Sequence, residues 1–185
     1  MARALIVGCG CRGRALGRAF LAEGWAVRGT TRREEGLAAI EDAGIEAALA
    51  DPERPGTLLD LVGDVALVVL LLGSAAGGHE ELAAIHGPRL ERLLEHLVDT
   101  PVRGVVYEAA GSVEPALLEG GAEFVRTASR TWRIPVTVLD GVPPSGPGPG
   151  APAAAEQSDL DYEAWTRQVA GSALALLTGP VNSKV

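Results

Sequence analysis

Four apolar residues, Ala4-Leu5-Ile6-Val7, run straight into Gly8-Cys9-Gly10-Cys11-Arg12-Gly13, and beyond them Ala15, Leu16, Ala19 and Phe20 recur at helical spacing. A strand that ends in closely spaced glycines and reopens at once as a helix is compatible with few folds. The G-x-G-x-x-G spacing supplies a tight turn at Gly8, an open backbone at Gly10 where a diphosphate can approach, and a close helix-to-strand crossing at Gly13. The free N–H groups at the start of such a helix face the anion. Arg12 and Arg14 either add positive charge at that phosphate end or stand as solvated surface arginines.

The rest of the chain repeats the alternation. Strands are expected at Trp25–Thr31, Ile45–Ala50, Val65–Leu72, Val102–Ala110 and Pro135–Asp140. Helices are expected over Glu34–Ala43, over His79–Val98 with a break at Gly87-Pro88, and over Glu119–Trp132. Val65–Leu72 is apolar throughout, as a strand covered on both faces must be. Strands spaced by helices predict an α/β fold: a doubly wound parallel sheet of about six strands with helices on both faces. Residues 1–140 form that dinucleotide-binding domain, and 141–157, rich in proline and glycine, a loop. Residues 158–178 form a last helix, opened by a capping box at Ser158 and Asp161 and docked on the same domain or on a second copy of the chain through Trp165.

At 185 residues, 47% hydrophobic and 22% charged, the chain is sized and composed for one compact domain. Its net charge of −8 argues against a nucleic-acid or anionic-membrane partner, so local basic clusters need local reasons. The longest apolar run falls far short of the roughly 20 residues that span a bilayer, and the expected location is the cytoplasm. Cys9 and Cys11 are too close for an ordinary disulfide. They are small residues suited to a crowded turn, or Cys11 is an oxidant-sensitive thiol activated by the helix start.

The second strand bears on the choice of dinucleotide. An NAD site carries an Asp or Glu at its end to take the ribose hydroxyls, whereas this strand ends Arg28-Gly29-Thr30-Thr31-Arg32-Arg33. Guanidinium and hydroxyl groups suit a 2′-phosphate, so NADP is expected with NAD as the alternative. Arg32 is the leading candidate, helped by Thr30, Thr31 and Arg33.

The glycine turn, "VRGTTR", "ADPERPGTLLDLV", "VALVVLLLGSA" and "VRGVVYEAAGSV" together resemble the extended and atypical short-chain dehydrogenase/reductase superfamily, including its epimerase-like branch, over nearly the whole chain up to Asp140. By position the resemblance implies Asp51 near the adenine and Leu72, Gly73 and Ser74 lining the cofactor below the nicotinamide; the residues themselves also allow Asp51 to cap a short helix beginning at Pro52. Gly8, Gly10, Cys11, Arg12 and Gly13 complete the expected cofactor site.

Such reductases use a Tyr-x-x-x-Lys pair and a serine after the fifth strand, and this chain departs at each. Lys184 is its only lysine, Tyr107 falls within a strand, Tyr162 falls in the last helix, and Ala109-Ala110 occupy the serine positions. Glu108 and Ser112 are the substitute candidates near the catalytic edge, Glu108 as an acid raised by burial or as a brace for a neighbouring loop. His79 either approaches the cofactor or starts a surface helix; His86 and His96 read as helix-face residues, and no metal set is expected. Glu123, Arg126 and Arg130 make no recognised triad. Three readings follow: an NADP-dependent reductase of a small molecule or flavin-type acceptor with nonstandard acid groups, a nucleotide sensor or structural protein that keeps the nucleotide and has lost catalysis, or a dimer-forming partner subunit with the last helix and Trp165 as interface.

Overall fold

A computed structural model describes residues 1–141 and 152–178, with the side chains of the last helix described over 162–177. β1 (Arg3–Val7) passes through the glycine turn into α1 (Cys11–Ala22), followed by β2 (Ala26–Thr31), a 3-10 turn (Glu34–Gly36), α2 (Leu37–Glu41), β3 (Glu46–Leu49), α3 (Pro55–Leu59) and β4 (Leu67–Leu70). The second half runs α4 (His79–His86), α5 (Pro88–Leu97), β5 (Gly104–Glu108), α6 (Pro115–Trp132), β6 (Val136–Leu139) and α7 (Pro152–Thr178). The strands pair in parallel in the order β3-β2-β1-β4-β5-β6. This is the expected doubly wound sheet.

Strand alternation sorts the core into two layers. Leu5, Val7, Val68, Leu70, Val105 and Tyr107 point to the side covered by α3, α5 and α6. Ala4, Ile6, Leu67, Val69 and Val106 point to the side covered by α1 and α7. On α5, Leu90, Leu93, Leu94 and Leu97 form one buried stripe at i, i+3, i+4 and i+7, each burial contributing about 2 kcal/mol.

Several helices begin where proline sets the first turn, its fixed φ being ready-made for that position. α6 starts at Pro115 rather than Glu119, and the short helix after β3 starts at Pro55 rather than Pro52. α7 starts at Pro152, ahead of Ser158, so 152–157, expected as loop, is helical. The remainder of that loop, residues 142–151, and Lys184 lie outside the described residues, as do the side chains of Ser158 and Asp161. Val169, Ala170 and Ala173 of α7 are buried against the sheet, with Trp165 partly buried beside them. The last helix therefore docks on its own domain. No helix among the described residues is long and apolar enough to cross a membrane.

Candidate functional site

α1 leaves β1 toward one face of the sheet and α4 leaves β4 toward the other, so a crevice opens between the C-terminal ends of these two neighbouring strands. A cavity of about 760 Å³ lies there, within the range of small-molecule and cofactor sites. Its floor is the glycine turn. Gly8 has φ +81°, and a Cβ there would stand 2.5 Å from the Leu71 carbonyl oxygen, so glycine alone fits. A Cβ on Gly10 would meet no protein atom within 4 Å and would project into open space. The Cys9 N–H donates to the Thr30 carbonyl at 2.9 Å, tying the turn to β2.

α1 has Gly10 at its N-cap position, with no side-chain cap and no acidic residue in its first turn. Its free amides and the positive end of its dipole are thus left for an external anion. The cavity wall carries Arg12, Arg14, Arg32 and Arg33 and, among the described residues, no Asp or Glu, within a chain of net charge −8. The basic cluster that composition left unexplained is gathered here.

Each expected site residue has a definite place. Gly8, Gly10, Cys11, Arg12, Gly13, Thr30, Thr31, Arg32, Leu72, Ser74 and Ser112 all line the cavity. Asp51 and Gly73 do not. Asp51 Oδ1 accepts the Glu53 N–H at 3.0 Å and its neighbours Ala50 and Pro52 form the wall, so this carboxylate organises the turn ahead of α3. The Gly73 N–H points away, to Glu108 Oε2 at 2.8 Å. Arg28 also turns from the crevice, pairing with Glu46 at 2.7 Å and Asp64 at 3.0 Å.

Glu108, the acid candidate, is 1% exposed and absent from the wall. Its Oε1 lies 2.9 Å from Arg12 Nη2 in an ion pair that lacks the alignment of a hydrogen bond. Burial pushes its carboxyl above the usual range, while Arg12 and the Gly73 N–H pull the other way. Glu108 is therefore a brace, joining the glycine turn to the loop after β4. Arg12 reaches Ser74 Oγ at 3.3 Å, and the Ser112 N–H donates to the same hydroxyl at 3.4 Å.

The histidines and tyrosines fall in the elements expected of them, and the finding is how deeply some are buried. His86, read as a helix-face residue, is 2% exposed, because α4 turns its last residue inward over β5. Its Nδ1 lies 2.7 Å from the Tyr107 hydroxyl; burial lowers the imidazole pKa and raises that of the phenol. The Tyr162 hydroxyl is buried beside α1 without a hydrogen-bond partner among the described residues. His79 is an exposed helix start near Glu114, and Arg126 and Arg130 each pair with Glu123 on the solvent-facing side of α6. Burial raises the Cys9 thiol to about 11, whereas Cys11 is exposed with Arg14 Nη2 3.4 Å from its sulfur. Among the described residues no three His, Cys, Asp or Glu side chains gather as a metal site.

Sequence reasoning missed Glu81. It meets Arg32 from α4, across the crevice. Ala50, Pro52, Ile85 and Gly111 of the wall were missed as well, being residue types without a local signal.

No protein-family model matches the chain, and no curated protein matches it significantly in sequence. Solved structures do match. The Bordetella bronchiseptica enzyme WbmH in complex with NAD+ is 12% identical with a TM-score of 0.68, over 97% of this chain and 73% of that one. The Citrobacter sp. triphenylmethane reductase complexed with NADP(H) is 20% identical, TM-score 0.53, over 73% of this chain and 48% of that one. The UDP-glucose 4-epimerase of Thermotoga maritima is 13% identical, TM-score 0.62, over 83% of this chain and 61% of that one. The chain spans about half the length of several of its matches, and the likeness establishes a shared Rossmann-type fold.

Proposed function

We propose that the chain binds NADP(H) in this crevice and serves as a reductase of a small acceptor, in the manner of the short-chain dehydrogenase/reductase superfamily that its sequence resembles. One observation carries the reading: four arginines on a wall lined, among the described residues, by no Asp or Glu, set on an uncapped helix start, with Arg32 at the strand end where an NAD site keeps a carboxylate. The first-turn amides of α1 would hold the diphosphate. Arg32, Arg33 and Thr31 would take the 2′-phosphate.

The half of the crevice beside β4 and β5 belongs to the nicotinamide and the acceptor. When bound there, the coenzyme supplies a hydride. Leu72 gives that half an apolar wall, while the Arg12 guanidinium and the Ser74 hydroxyl, with Ser112 beside them, form a polar corner that would orient and polarise an acceptor oxygen. Glu108 keeps Arg12 in place and is a positioning residue. The reading is tested by titrating NADPH and NADH by fluorescence and then screening small carbonyls, quinones and flavins for oxidation of NADPH. NADPH is expected to bind on the order of tenfold tighter than NADH, and Arg32→Ala to erase that preference. Equal affinities in the unaltered protein would refute the assignment.

A second reading, a binding protein without turnover, draws on a separate observation. Among the described residues no tyrosine and no lysine lines the cavity; the Tyr107 and Tyr162 hydroxyls are both buried elsewhere. Binding of NADPH with no oxidation across the acceptor panel would select it.

A further inference from the structure

Arg32 does more than stand at the end of β2. Its guanidinium crosses the mouth of the crevice, where Nη1 forms an ion pair with Glu81 in the first turn of α4 and Nη2 donates to the Ala76 carbonyl at 2.6 Å. Glu81 is folded onto the same loop, since a Cβ on Gly77 would stand 2.6 Å from its Oε2. The Arg32 and Glu81 side chains are 32% and 29% exposed, shielded enough for the pair to matter and open enough for an incoming anion to reach it. Among the described residues the Arg33 guanidinium has no ion pair or hydrogen bond, so a second cation waits beside the first.

A carboxylate and a carbonyl thus occupy the donors that a phosphate monoester would use. The monoester dianion brings three acceptor oxygens and about twice the charge of the carboxylate, and a guanidinium binds it through two parallel N–H groups. A ribose hydroxyl brings neither charge nor a second acceptor. We propose that Glu81 and the Ala76 carbonyl stand, in the free protein, in the place of the coenzyme's 2′-phosphate, making Glu81 a specificity-determining residue that sets the affinity for 2′-phosphorylated dinucleotides alone. The inference rests on the reading of this crevice as an NADP site.

The exchange has a consequence for the acceptor half. The segment 73–78, pinned at Ala76 by Arg32, also carries Ser74, whose hydroxyl contacts Arg12 at 3.3 Å and the Ser112 N–H at 3.4 Å. A phosphate that claims Arg32 releases this segment from the β2 side while its Ser74 end stays joined to Arg12. An unphosphorylated dinucleotide leaves the clasp closed.

Glu81→Gln tests the proposal. It preserves shape on an α4 site that is not buried and removes the competing charge. NADP, NAD and adenosine 2′,5′-bisphosphate are titrated calorimetrically into the unaltered protein and the variant, and amide hydrogen exchange over 75–78 is measured without ligand. The variant is expected to bind NADP and the bisphosphate about two- to fivefold tighter, the scale of a partly exposed ion pair, with NAD unchanged and exchange at 75–78 faster. Unchanged or weaker NADP binding in the variant would overturn the proposal, as would a parallel gain for NAD. Weaker NAD binding would mean that Glu81 instead receives the ribose hydroxyls, and would overturn it too. Failure of the unaltered protein to bind NADP at all would overturn the underlying reading and this inference with it, whereas NADP binding indifferent to Glu81→Gln sinks the inference alone.

Discussion

Glu108 has the burial of a core residue and the charge of a surface one. Desolvating a carboxylate is costly, and the cost is offset here by one guanidinium and one backbone N–H. Removing the side chain leaves the buried Gly73 N–H without its acceptor, so Glu108→Ala is expected to lower stability by about 2 kcal/mol, and Glu108→Gln, which can still accept that bond, by less than about 1 kcal/mol. The pH dependence carries a sign. A carboxyl raised above its unfolded value contributes most to stability below that value, near pH 4.3, and its contribution falls as pH rises toward the folded pKa. The stability advantage of the unaltered protein over Glu108→Gln should therefore shrink from pH 4 upward, as read from urea midpoints. A difference that grew with pH would mean that Arg12 outweighs burial. Tyr107 teaches a related lesson: a tyrosine in a reductase-like chain attracts a catalytic reading, yet its hydroxyl is spent on His86 within the core.

The strand–turn–helix at the N-terminus separates two kinds of glycine. Gly8 serves the fold, through its positive φ and the Leu71 carbonyl against it. Gly10 is free of the fold's demands, since a methyl group there touches no protein atom within 4 Å, and on the proposed reading it serves the ligand. Gly8→Ala is accordingly expected to cost about 2–3 kcal/mol of stability, visible as a lowered melting temperature. Gly10→Ala should melt like the unaltered protein and bind NADPH on the order of tenfold more weakly, because its methyl group occupies space that the diphosphate needs. A Gly10→Ala protein with undiminished affinity would place the diphosphate elsewhere. This element was legible in sequence because its constraints are local: apolar run, glycine spacing and helical periodicity fall within twenty residues. The helix starts were less so. Pro55, Pro115 and Pro152 each precede or replace the expected boundary, since a proline that reads as a breaker inside a segment is favourable in a first helical turn.

At the scale of the molecule, the parallel sheet and its two covered faces followed from the alternation of strands and helices, and the order β3-β2-β1-β4-β5-β6 places the crevice where such sheets bind ligands. What one-dimensional reasoning did not reach were pairings between distant segments. Arg12 meets Glu108 from the turn to β5, Arg32 meets Glu81 from β2 to α4, and His86 meets Tyr107 from α4 to β5. None has a spacing rule, because tertiary packing alone decides which arginine finds which carboxylate. The same packing leaves the described wall of an acidic protein lined with arginine, on which the proposed function rests. Calorimetric titration of NADPH into the unaltered full chain is the most direct test of that account. One site per chain, with affinity that falls as salt is raised, is expected from phosphates held by guanidinium groups and helix amides. Absence of heat, or binding indifferent to salt, would contradict it.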